Sequence, residues 1–115
     1  MRIKLTIQLY LDVNDAGDSL LFSTRILLDT YQTYNYLELN EALDDYVNLY
    51  FDIGKLYRRK LDQELKGLND FTKVKEVYQK VVNEMTSEHH LFVKEAFGGF
   101  NTKALEEWKK KVIVR

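Results

Sequence analysis

Residues 39–65 of this chain are LNEALDDYVNLYFDIGKLYRRKLDQEL, and this stretch decides the fold. Large apolar side chains recur in it at spacings of three and four residues: Leu39, Leu43, Tyr46, Tyr50, Ile53, Tyr57, Leu61 and Leu65. That period is typical of a helix that buries one stripe of its surface. The stretch therefore predicts one long amphipathic helix over residues 39–65, whose most regular side chains serve packing or contact rather than catalysis.

The start of this helix carries the signals of a helix N-terminus. Asn40 is predicted to cap it, and Glu41, Asp44 and Asp45 follow in the first turns, where carboxylates complement the positive end of the helix dipole. A helix of this length is about 40 Å long, whereas a compact domain of this size is about 26 Å across. We therefore expect the helix either to kink near Gly54 or to project.

Before the helix, the sequence favours strands. Apolar and polar residues alternate from Ile3 to Leu11, which predicts a strand with one buried face. Residues 14–18 form a turn cluster. Residues 20–29 fit a strand or a helix, and their Phe, Thr and Ile content together with the short preceding loop favours a strand in a hairpin. Residues 31–37 hold a short extension or a third strand.

After the long helix, a second row of apolar residues has helical spacing: Phe71, Val74, Tyr78, Val81 and Met85. The row either continues through Ala96 as one helix or breaks before a new cap at Ser87, and Gly98 and Gly99 end it in both cases. Asn101 is predicted to cap a last helix. The β-prone tail 111–115 is expected to pair with the first strand. The fold class is therefore α+β, a small antiparallel sheet on three or four helices in one domain spanning 1–115.

Composition excludes several classes of function. The chain has 115 residues, no cysteine and a net charge of −1. It therefore has no disulfide framework, cysteine-ligated zinc or thiol catalysis, and no overall positive charge to recruit nucleic acid. Apolar runs fall far short of the ~20 residues that span a bilayer. We expect a cytoplasmic protein that makes no membrane contact and does not bind nucleic acid directly.

No motif indicates an enzyme, a metal site or a cofactor. His89 and His90 are adjacent, so they point about 100° apart on a helix and do not face one ion in the way that H-E-x-x-H does. Gly98 and Gly99 lack the spacing of a phosphate-binding loop, and no serine lies in a nucleophile motif. The sequence predicts no catalytic residue, no metal ligand and no cofactor.

The remaining candidates are partner-binding residues on the long helix. Its tyrosines fit a core edge as well as a homodimer or partner contact, because tyrosine is amphipathic and enriched at interfaces. Its early carboxylates either complement the helix dipole or imitate a phosphate backbone and occupy a basic groove on a partner. The candidate partner-binding residues are Glu41, Asp44, Asp45, Tyr46, Tyr50, Asp52, Tyr57, Arg58 and Arg59.

The chain is small, lacks catalytic motifs and has an AT-rich residue bias, with no proline among 115 residues. In these general features it resembles small anti-defence proteins of phages and mobile elements, such as anti-CRISPR proteins. The resemblance implies stoichiometric blockade of a CRISPR effector nuclease, at its guide-RNA or DNA groove, in the cytoplasm of a bacterial host. One alternative is an accessory or structural subunit of a conjugative or phage assembly that acts by self-association. Another is a small DNA-binding regulator, which the net charge and the lack of a helix-turn-helix disfavour.

Overall fold

The computed structural model describes residues 3–38 and 40–115. Within them the strands come first and the helices follow: β1 Ile3–Lys4, β2 Ile7–Asp15, β3 Leu20–Leu28, β4 Tyr34–Asn35, α1 Glu41–Leu65, α2 Phe71–Ala96 and α3 Thr102–Val114, with a 3-10 turn at Phe97–Gly99. This is the predicted α+β arrangement, a small antiparallel sheet part beside three helices, one of which is the long helix expected from the sequence.

The structure confirms the predicted hairpin, which consists of β2 and β3. β2 and β3 are antiparallel, with Ile7 opposite Leu28 and Asp15 opposite Leu20. The third strand is also present, since β4 pairs with β1. The strand predicted without a break from Ile3 to Leu11 is interrupted after Lys4, where the Thr6 N–H donates to Thr33 Oγ1 at 3.1 Å instead of extending the ladder.

Asn40 caps α1 as predicted, because its Oδ1 accepts the Leu43 N–H at 2.8 Å. The predicted helix start at Leu39 lies outside the described residues. α1 continues without interruption through Gly54, where a Cβ would lie 3.4 Å from Ile26 Cδ1 and 3.7 Å from Ile7 Cγ2. These are ordinary van der Waals distances, so the two isoleucines of the hairpin pack directly against the helix at this position. The molecule measures 52 × 31 × 18 Å, so a helix about 40 Å long fits along its longest dimension.

α2 is one continuous helix, so the break before Ser87 does not occur. It ends at Ala96 because Phe97 adopts a left-handed conformation, with φ of 49°. α3 begins after Asn101, whose Oδ1 accepts the Ala104 N–H at 3.1 Å as predicted.

The expectation that the tail 111–115 forms a strand was wrong, because α3 continues to Val114. Leu105, Trp108 and Val112 lie at helical spacing and pack into the core. The Arg115 side chain at the end of this helix makes an ion pair with Glu88 of α2. Packing of one apolar stripe therefore outweighs the β propensity of a few residues.

α1 is the central element, since the hairpin, α2 and α3 all contact it. Its first half joins one core cluster, in which Phe92 stacks on Tyr46 at 5.0 Å and meets Trp108 edge-on at 5.3 Å. Its second half joins another cluster, in which Leu61 and Leu65 pack with residues of α2 and β2. The faces of α1 that these layers leave uncovered are the surface available to a partner.

Candidate interaction surface

The predicted partner-binding charges of α1 differ in their exposure to solvent. Glu41 and Asp44 are exposed near its start, while Asp45 and Asp52 are half-buried. Arg58 and Arg59 are exposed in its second half. The surface therefore changes along the helix from acidic to basic.

Internal ion pairs already use some of these charges. Asp45 Oδ2 accepts a hydrogen bond from Lys109 Nζ of α3 at 2.6 Å, and Asp52 lies 3.8 Å from Lys55. Glu41 and Asp44 form no ion pair with any other described residue. These two carboxylates are consequently the ones that remain available to an external cation.

An open cleft of about 830 Å³, which we call the acidic cleft, lies between the first turn of α1, the 3-10 turn and the first turn of α3. The charged residues that line it are Glu38, Glu41, Asp45, Glu106 and Lys109. Two helix N-termini open into it and contribute roughly half a positive charge each. Among the described lining residues, four carboxylates outweigh these partial charges and one ammonium, so this lining carries a net charge of roughly −2.

Two of the three candidate tyrosines of α1 lie inside the protein. Tyr46 and Tyr50 have exposed fractions of 1% and 6%. Burial raises the pKa of both phenols to about 12, with a further contribution from Tyr50 at Tyr46. Both belong to the core, and they line a cavity of about 500 Å³ beside His89. Tyr57 is half-buried, and the Arg115 guanidinium lies 5.8 Å from the centre of its ring.

His89 also belongs to the core. It stacks on Tyr50 at a centroid distance of 3.9 Å, and its Nε2–H donates to the Tyr50 carbonyl oxygen at 2.9 Å. Burial lowers the pKa of His89, and this outweighs the opposite effects of the Tyr50 carbonyl and Glu88. The described residues contain no group of three or more His, Cys, Asp or Glu side chains that could hold a metal ion.

The buried imidazole predicts a pH dependence of stability. An unfolded histidine has a pKa of about 6.5. Since the folded pKa is lower, acidification below about pH 6.5 protonates the unfolded chain first, and the free energy of unfolding falls by at most ~1.4 kcal/mol per pH unit. Urea unfolding at pH 7 and 5.5 should show this loss in the wild type and a smaller one in His89→Gln. Equal losses in both proteins would contradict the assignment to His89.

Sequence reasoning missed part of the exposed apolar surface. Phe97 and Phe100 flank the glycine pair and are both exposed, with ring centroids 6.4 Å apart. Phe100 lines the acidic cleft. On the outer side of the hairpin, Leu21 and Leu27 are exposed as well. The alternation of the second strand was the available signal for these leucines, since it assigns them to the face opposite Phe22 and Ile26.

Comparison of the chain with protein-family models, with curated proteins and with solved structures gives no match. None of the helices in the described ranges is long and apolar enough to cross a membrane.

Proposed function

We propose that this protein is a non-enzymatic inhibitor that binds a protein partner through the acidic cleft and the adjoining carboxylates of α1. The observation that carries the proposal is that Glu41 and Asp44 are exposed and have no ion pair with a described residue, and that Glu41 lines a cleft whose described charges are mostly negative. Complementary charge steers association and selects partners. The partner surface that fits is therefore basic.

A basic groove is the common property of proteins that hold nucleic acid, because their Lys and Arg side chains neutralise phosphates. Glu41 and Asp44, two carboxylates of α1 without an ion pair to a described residue, are about 4.5 Å apart along the helix axis. Consecutive phosphates of one strand advance about 3.4 Å along the duplex axis, so this spacing is close to that of two neighbouring phosphates. Together with the resemblance to anti-CRISPR proteins, this favours a CRISPR effector nuclease, blocked at its guide-RNA or DNA groove, as the partner.

The double charge reversal Glu41→Lys/Asp44→Lys tests this surface. We expect association with the inhibited nuclease to slow by about tenfold or more at low salt and by much less at high salt, because the steering is electrostatic. Loss of dipole complementarity lowers stability by only ~0.3–1 kcal/mol per residue. The measurement is the association rate against ionic strength, read alongside inhibition of DNA cleavage.

The matched control is Asp18→Lys/Glu76→Lys, which changes the net charge equally at two exposed positions on the hairpin turn and on α2. It should associate nearly as fast as the wild type. If both double variants slow association equally, net charge rather than the acidic cleft is responsible. If the wild type neither binds nor inhibits any of a broad panel of CRISPR effector nucleases, the proposed partner class is wrong.

A second candidate function is that of an accessory subunit of a conjugative or phage assembly that acts by self-association. The observation that favours it is the edge of β3, which no other described element covers. Co-purification distinguishes the two functions, since a nuclease partner supports inhibition and a homo-oligomer alone supports assembly.

A further inference from the structure

The two edges of the hairpin differ in how their backbone groups are used. The Asp29 N–H donates to the Thr6 carbonyl at 2.8 Å, and the Ala16 N–H donates to the Ser19 carbonyl at 2.9 Å. Bonded pairs in an antiparallel ladder alternate with non-bonded pairs. The even-numbered residues of β2 and the odd-numbered residues of β3 therefore form the backbone hydrogen bonds between the two strands. The remaining residues of each strand direct their N–H and C=O groups away from the partner strand, towards the outer edge of the hairpin.

The outer edge of β1 and β2 is covered by tyrosines from the helices. The Leu5 carbonyl accepts the Tyr50 hydroxyl at 2.9 Å, and the Leu9 carbonyl accepts the Tyr78 hydroxyl at 2.6 Å. The outer edge of β3 has no such cover. Its outward backbone groups form no hydrogen bond with any described residue, and they belong to Leu20, Phe22, Thr24, Ile26 and Leu28.

This edge lacks the features that prevent an exposed edge strand from pairing with a strand of another molecule. β3 is nine residues long and pairs with β2 without a bulge. It contains no proline, and its one charged residue, Arg25, already lies 3.6 Å from Asp12. On its outer face Leu21 and Leu27 are 57% and 45% exposed. Natural proteins protect long edge strands with charges, prolines or bulges, and an edge without them is a template for pairing with another strand.

We propose that β3 pairs antiparallel with β3 of a second copy of this chain, around a two-fold axis at Thr24, to form a continuous four-stranded sheet. In this register Leu20 forms backbone hydrogen bonds with Leu28 of the second copy, and Phe22 forms them with its Ile26. Every outward N–H and C=O group of β3 thereby gains a hydrogen-bond partner. Between these pairs, on the outer face, Leu21 lies directly opposite Leu27 of the second copy, and the same contact occurs twice.

The groups beside β3 carry both signs of charge, which suits a second copy better than a partner of one sign. A groove of about 510 Å³ runs along residues 20–24 of β3 and is flanked by Arg58, Asp62 and Lys66 of α1. Arg58 Nε donates to Thr24 Oγ1 at 3.2 Å, and Thr24 Oγ1 donates to Asp62 Oδ1 at 2.6 Å. A two-fold axis at Thr24 brings Arg58 of each copy towards Asp62 of the other.

No like charges lie directly opposite each other in this register. Ser23 faces Arg25 of the second copy, and the net charge of −1 per chain adds little repulsion. The seam is about 30 Å long, which is small for an interface, so we expect a dissociation constant in the micromolar range. The acidic cleft lies at the start of α1, away from Arg58 and Asp62, so the dimer does not depend on the proposed function.

Because the chain has no cysteine, disulfide formation tests the register directly. Leu21→Cys and Leu27→Cys are prepared separately and oxidised alone and as an equimolar mixture. Leu21 lies opposite Leu27 of the second copy at a non-bonded pair, where Cβ atoms are about 4.5–5.5 Å apart. The mixture should therefore give a disulfide-linked dimer, whereas each variant alone should not. A single variant that cross-links as fast as the mixture would overturn the register.

Charge substitutions at the same pair test the interface without cross-linking. Sedimentation of the wild type between about 1 and 300 µM should show a reversible dimer. Leu21→Lys/Leu27→Lys places like charges opposite each other and should weaken dimerisation about tenfold or more, while Leu21→Lys/Leu27→Glu should restore it. Leu91→Lys, at an exposed leucine of α2, should leave it unchanged. A monomeric wild type over the whole range, or a Lys/Glu variant as weak as the Lys/Lys variant, would overturn the proposal.

Discussion

The Ile7→Asp variant is expected to lose about 3–5 kcal/mol of its free energy of unfolding, the usual cost of an uncompensated charge in a core. Ile7 has an exposed fraction of 7% and belongs to the core cluster that contains Tyr46 and Tyr50. It also lies against Gly54 of α1, where an added Cβ would be 3.7 Å from Ile7 Cγ2. The measurement is urea unfolding at pH 7.

The matched control is Leu91→Asp, which introduces the same carboxylate at an exposed leucine of α2 and should cost less than about 1 kcal/mol. The pH dependence of the stability loss distinguishes burial of the new carboxylate from a change in local strand propensity. Acidification neutralises a buried carboxyl more readily than it neutralises an exposed one. The deficit of Ile7→Asp relative to wild type should therefore shrink between pH 7 and about pH 5. Equal deficits for the two variants would show that the Ile7 face of β2 is not buried.

Gly99→Ala should also be strongly destabilising, by about 2–4 kcal/mol. Gly99 has φ of +90°, and a Cβ there would lie 2.8 Å from the Ala42 carbonyl oxygen. Both left-handed strain and a backbone clash oppose the substitution, and backbone cannot move aside as a flexible side chain can. Because Gly99 lines the acidic cleft, the variant should also lower affinity for the proposed basic partner.

Gly67→Ala isolates the strain from the clash. Gly67 has φ of +77°, but a Cβ added there would meet no atom within 4 Å beyond its neighbours in the chain. The substitution should cost about 1–2 kcal/mol, as left-handed backbone strain alone does. Chemical unfolding of both variants gives the difference. If the two losses coincide, the contact between the 3-10 turn and the first turn of α1 contributes nothing to stability.

The sequence alone determined the elements whose signals are local. The three–four spacing from Leu43 to Leu65 and the cap at Asn40 define α1, because a helix is specified by side chains within a few residues of one another. The alternation and the turn residues likewise predicted the hairpin. The carboxylates of the candidate surface follow from the same pattern, since the charged stripe of an amphipathic helix faces solvent.

Tertiary structure decided the features that local sequence patterns left open or predicted incorrectly. The segment 111–114 is helical because Trp108 and Val112 bury one stripe in the core, which a five-residue β-prone tail does not reveal. Gly54 serves close packing because two isoleucines of the distant hairpin meet there. These outcomes depend on partners far along the chain, and propensity is a weaker determinant than packing.

For the candidate partner-binding residues too, some properties followed from the sequence and others only from tertiary contacts. Periodicity placed Tyr46 and Tyr50 on the same stripe as Tyr57, but only the packing of His89 and Phe92 showed that the first two are core. Asp45 follows Asp44 in sequence, yet among the described residues only Asp45 of the two forms an ion pair, with Lys109, which lies 64 positions away. A one-dimensional pattern specifies which faces are apolar or charged. Which faces meet, and so which charges stay available to a partner, is fixed by long-range contacts that form only when the chain folds.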